Sequence, residues 1–94
     1  MIIVAGEIHL KPGQRDAFLQ AARAAIEMAR AAEGCLDFAV SADTVEADRV
    51  NIFERWVSVE ALEAFRGSGM DDGQMAMIAR GSVRRYRAED AGDA

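Results

Sequence analysis

Glu54 and Trp56 are the side chains best placed to do chemistry together, because they stand two residues apart in a stretch that reads as a strand. A strand sends alternate side chains to opposite faces, so Ile52, Glu54 and Trp56 share one face while Asn51, Phe53 and Arg55 share the other. A carboxylate among apolar neighbours either finds a cation or has its pKa raised toward the range of a general base. Arg85 on the last strand is the cation expected here, and the bland alternative for Glu54 is an ion pair that only holds the sheet. Trp56 either lines a pocket or is simply core. Tyr86 can donate to a substrate oxygen or pack at a dimer edge.

Other chemistry is thinly supplied. His9 is the only histidine and Cys35 the only cysteine, so the scattered carboxylates complete no tetrahedral or facial metal set. Gly67-Ser68-Gly69 follows a helical stretch rather than a strand and is no phosphate loop. Nothing beside Cys35 in the sequence would lower its pKa, which makes it a buried, inert thiol. Arg80, Arg84, Arg85 and Arg87 alternate faces along the final strand, and a basic edge that discourages aggregation explains them more simply than an anion site.

The elements that position these residues follow from periodicity. Residues 2–10 alternate Ile2, Val4, Ile8 and Leu10 against Ile3, Ala5, Glu7 and His9, giving a first strand. Lys11-Pro12-Gly13 breaks it, with Pro12 acceptable at a helix start. Phe18, Ala22, Ala25 and Ala29, with Leu19 and Ile26, form the stripe of a helix running to about Ala32, which Gly34 closes. Leu36, Phe38 and Val40 mark strand two, 43–48 a polar turn, and 49–57 strand three. Ser58 caps a short helix through Phe65 with Val59 and Leu62 in its buried stripe. Met70, Met75, Met77 and Ile78 suggest another helical stretch, and a last strand covers about 82–87.

Strand, helix, strand taken twice makes an α+β, ferredoxin-like βαββαβ domain over 1–87, with both helices on one face of an antiparallel sheet. Residues 88–94 read as an acidic, disordered tail. The bare face would carry Ile3, Ala5, Ala39, Phe53 and Val57 beside Glu7, His9, Asn51 and Arg55, too apolar for water and too polar for a core. A second copy offering the same patch would cover it as a symmetric homodimer. His9 falls there, as a hydrogen-bonded interface residue rather than a catalytic one.

Composition agrees. The 94 residues are 51% apolar and 29% charged, which describes one small folded domain. Of the net charge of −5, the tail holds three in Glu89, Asp90 and Asp93, leaving a body near −2 that does not suit nucleic acid. The apolar opening is interrupted at Glu7 with no basic region before it, so neither a signal peptide nor a membrane span is expected, and with a lone thiol the cytoplasm is the expected compartment.

Glu54-Arg55-Trp56-Val57-Ser58-Val59-Glu60-Ala61-Leu62 resembles the hallmark of the antibiotic biosynthesis monooxygenase family. Lys11-Pro12-Gly13 after strand one, Glu33-Gly34-Cys35 at the start of strand two and the charged residues near Asp43 agree with it, so the likeness spans about 2–87. The resemblance implies a dimeric α+β barrel with a pocket between sheet and helices in each subunit. Characterised enzymes of the family oxidise aromatic polyketides or quinols with molecular oxygen, without metal or flavin. Relatives of the same fold degrade haem or isomerise lactones.

Such oxygenation needs a substrate whose anion is electron-rich enough to reduce oxygen, so the protein supplies an apolar cavity, a stacking surface and groups that hold the anion. The resemblance casts Trp56 as the surface and Glu54 or Tyr86 as the proton handler, with Gly6, Ile52, Phe65 and Arg85 around the substrate. Phe65 stands where many members carry the histidine that haem degraders of this fold need, which argues against haem. Family oxygenases also place an Asn near the Trp, but Asn51 has the opposite parity. The expectation is a cofactor-independent monooxygenase or quinol oxidase for a small aromatic; the alternative is a non-catalytic dimer binding a small apolar ligand.

Overall fold

The computed structural model describes residues 1–67 and 72–94. The chain runs β1 (Ile2–Leu10), α1 (Arg15–Ala31), β2 (Cys35–Ala42), β3 (Arg49–Trp56), α2 (Val59–Arg66), α3 (Asp72–Ala76) and β4 (Ile78–Arg87). The four strands form one antiparallel sheet in the order β2-β3-β1-β4, the ferredoxin-like arrangement expected from two interleaved strand-helix-strand units. Residues 88–94 carry neither helix nor strand.

Local chemistry sets the element ends. The Ser58 hydroxyl accepts the Ala61 N–H at 3.2 Å, capping α2 as its residue type suggests. Gly34 turns the chain out of α1 at φ +82°, and a Cβ there would lie 2.6 Å from the Ala61 Cβ, so both the turn and the close approach to α2 require glycine. Pro12 lies in the turn before α1 rather than in the helix, which starts at Arg15 behind Gln14.

Parity holds in the central strands. Val4, Ile8, Val50, Glu54 and Trp56 face the helices and are buried. Two packed groups form under the helices, one of Ile2, Val4, Phe38, Trp56 and Leu62 with Ala29, the other of Ile8, Leu10, Phe18 and Val50.

Three expectations shift. A register irregularity between Cys35 and Asp37 leaves Leu36 exposed rather than in line with Phe38 and Val40. Ala25 on α1 is exposed rather than part of the buried stripe of Phe18, Ala22 and Ala29. β4 begins at Ile78 instead of 82, so Ile78 pairs with Leu10 and belongs to a strand rather than a helix. Ser68, Gly69 and Met70 lie outside the described residues.

Candidate functional site

Glu54 is the buried carboxylate of the helix-covered face, 4% exposed. Its strand-mate Trp56 reaches it because residues two apart on a strand stand on the same side, and the indole N–H donates to Glu54 Oε1 at 3.0 Å. The other oxygen accepts from Arg66 Nη2 at 3.4 Å, so a cation from the end of α2 answers the charge. Arg66 itself is only partly withdrawn from water, its side chain 45% exposed. Each carboxylate oxygen keeps unused acceptor capacity, since an ionised carboxylate offers about four lone-pair sites.

Glu54 opens onto a cleft of about 680 Å³ between α1, the sheet and the end of α2. Its walls are apolar: Ala22 and Ala25 of α1, Ile8, Ile52 and Val83 of the sheet, and the rings of Phe38 and Phe65. The lining's hydrogen-bonding side chains are Glu54, Arg66 and Gln74, the last from α3. An apolar hollow with few polar groups is the usual form of a small-molecule site.

The expected residues divide. Ile52 and Phe65 line the cleft beside Glu54. Trp56 does not: it is fully buried, with Phe65 tilted against it at 5.4 Å and Phe38 edge-on at 6.4 Å, and those two rings face the cavity in its stead. Its polar contact with the site is the hydrogen bond to Glu54. Gly6 is not among the residues that line the cleft, although its strand partners Ile52 and Val83 are; a Cβ there would run into the Ser82 carbonyl oxygen, and with φ +154° it serves the close approach of β4.

Arg85 is not the partner of Glu54. It lies in the same cross-strand row, but Val4 of β1 stands between them, which sets them two strand spacings of about 4.8 Å apart. Its guanidinium pairs with Glu63 of α2 at 3.3 Å on the surface. Tyr86 pairs with Ile3, which puts it exposed on the bare face, away from Glu54. His9 lies on that face too, paired with Arg49 and Arg80.

Asn51 is held elsewhere: its amide donates to Asp43 Oδ1 at 2.9 Å, in the turn between β2 and β3. The N–H groups of Glu46 and Val45 also donate to Asp43, and with the Asn51 amide they hold its carboxyl down at about 2. Burial pushes the Cys35 thiol above its ordinary value, against a hydrogen bond it donates to the Asp37 carbonyl. Cys35 is therefore poorly suited to act as a thiolate.

Sequence reasoning missed Arg66 and Gln74. Arg66 had a signal, since it stands four residues after Leu62 and so shares that buried side of α2. Gln74 had none, lying in a five-residue helix.

The profile of the family described as antibiotic biosynthesis monooxygenase matches residues 1–71. Among solved structures, a candidate antibiotic biosynthesis monooxygenase from Deinococcus radiodurans superposes with a TM-score of 0.85 at 19% identity, covering 100% of this chain and 98% of that one. PA3566 from Pseudomonas aeruginosa gives 0.82 at 22% identity over 94% of each chain. At these identities the likeness is one of fold. An uncharacterized protein of Synechocystis is 32% identical over 62 residues, 66% of this chain and 42% of its own length, so this chain spans less than half of that relative.

Proposed function

Because the chain belongs to the antibiotic biosynthesis monooxygenase family, we propose that its cleft binds a small aromatic phenol, enol or quinol and promotes its reaction with molecular oxygen. The observation that carries this reading is a buried carboxylate, oriented by an indole and a guanidinium, opening onto an apolar cavity. Glu54 takes the proton of the substrate hydroxyl, becoming a neutral acid and leaving an oxyanion. Arg66, freed of part of its charge partner, pairs with that oxyanion. Phe65 and Phe38 supply the ring surfaces, and Trp56 is a positioning residue that fixes the carboxylate.

The electron-rich anion then reduces dioxygen. For a ring methylene, CH₂ and O₂ become C=O and H₂O; for a quinol, two electrons and two protons pass to O₂, giving the quinone and H₂O₂. Excluding water from the apolar walls strengthens every charge interaction during the step. A second copy on the bare face completes the assembly, since that face is half-apolar and family members are commonly dimeric.

Oxygen uptake against anthrones, quinols and flavonols, with metals chelated, tests the reading. Uptake tied to one class, lowered by at least about 10²-fold in Glu54→Gln, is the expected result for loss of a positioned base. Tight binding of the same compounds with no uptake would instead support a non-catalytic binding protein.

A further inference from the structure

A second hollow, of about 390 Å³, lies between α1 and α2, lined by Met28, Ala32, Glu33, Ala61, Ala64 and Phe65. It is not isolated, because Met28 and Phe65 line both this groove and the cleft that holds Glu54. Three of its walls are alanines, too short to fill the space between the helices. That space is not slack packing throughout: beside it, Gly34 approaches Ala61 so closely that a Cβ would not fit. Met28, between the two hollows, leaves 60% of its surface in water. A flexible thioether chain re-packs around different occupants at low cost.

The two hollows differ in what they can recognise. The cleft holds the Glu54–Arg66 pair and Gln74, whereas Glu33, exposed, is the one charged side chain of the groove. A polar ring belongs in the first and an apolar chain in the second. We propose that the α1–α2 groove is a tail subsite, so that the ligand class is an aromatic phenol or quinol bearing an alkyl or isoprenoid-like chain several carbons long. This rests on the cleft being the ligand site. Burying such a chain supplies affinity by removing apolar surface from water, which the few polar groups around the ring do not.

Titration calorimetry with 4-alkylphenols, from ethyl to octyl, tests the subsite without turnover. Affinity is expected to rise by roughly 4-fold per methylene, from about 0.8 kcal/mol per buried CH₂, and to keep rising through the longest chains. Ala64→Trp, which fills the groove from an exposed helix position, should flatten that rise, and Ala64→Leu should do so in part, providing a milder variant if the tryptophan impairs folding. Binding that gains nothing with chain length, or gains equally in both variants, overturns the tail subsite while leaving the cleft as the ring site. Failure of every phenol to bind removes both readings.

Discussion

On the helix-covered face of the sheet Val4, Val50, Glu54 and Trp56 are buried, whereas on the other face Ile3, Ala5 and Asn51 are half-buried and Phe53 is 38% exposed. The same strands build both faces from alternate residues. They differ in how a polar group is satisfied. On the covered face Glu54 has lost its water and is answered by two specific donors from different places in the chain. A buried carboxylate without such partners would cost several kcal/mol, on the order of 1–3 for each lost hydrogen bond and more for the charge. On the bare face Glu7, His9 and Arg55 stay within reach of solvent and need no such arrangement. Chemistry that depends on orientation therefore belongs to the first face, and association between surfaces to the second.

The sharpest way to break that comparison is Trp56→Ala. It removes the largest fully buried side chain, leaves a cavity against Phe38 and Phe65, and strips Glu54 Oε1 of its donor. A loss of about 3–5 kcal/mol is expected. For a small domain with about 5–15 kcal/mol of stability, that leaves little margin. Urea denaturation should show the midpoint falling steeply. A shift no larger than that of an exposed substitution would mean that Trp56 is not the keystone of the covered face.

The bare face is tested by Phe53→Asp. In an isolated subunit this half-exposed position should tolerate the change within about 0.5 kcal/mol, as surface sites usually do. In a dimer closed through this face, each subunit would bury an unpaired carboxylate in the contact and the assembly should dissociate. Sedimentation should then fall from about twice the 10.2 kDa chain mass to that of one chain, with the circular dichroism unchanged. A wild type that is already monomeric would mean that water, not a second copy, satisfies this face.

The division between the faces was legible from alternation alone, because a period of two is fixed by strand geometry whatever the partner strands do. It placed Glu54 and Trp56 together and put Asn51 and His9 opposite them, while the handedness of the crossovers put both helices on one face of the sheet. What alternation cannot carry is distance across the sheet. Arg85 has the right parity for Glu54 but sits two strands away, whereas Arg66 arrives from above on α2. Nor does parity show depth, which is why Trp56 reads as lining the cleft when Phe38 and Phe65 cover it. Tyr86 was open to a direct test by register: β4 pairs Tyr86 with Ile3, and Ile3 already lay on the bare side.

The smallest effect should come from a place where a bare-face side chain is tied as firmly as Glu54 is on the other face. Asn51 donates to Asp43, whose carboxylate also accepts the N–H groups of Val45 at 3.0 Å and Glu46 at 2.8 Å. These bonds favour the charged form and hold the folded-state pKa at about 2, below the ordinary value of 3.8. A depressed carboxylate stabilises the fold fully above its unfolded pKa and loses that contribution as pH falls through the folded value. The urea midpoint of the wild type should therefore decline between about pH 4 and pH 2 by an increment missing from Asp43→Asn, which cannot titrate there. The two proteins should differ most near neutral pH and converge toward pH 2. Parallel profiles across that window would show that the turn leaves Asp43 as it would be in the unfolded chain. The rigidity of Asn51 would then have to come from Arg49, which donates to its side-chain oxygen at 2.8 Å.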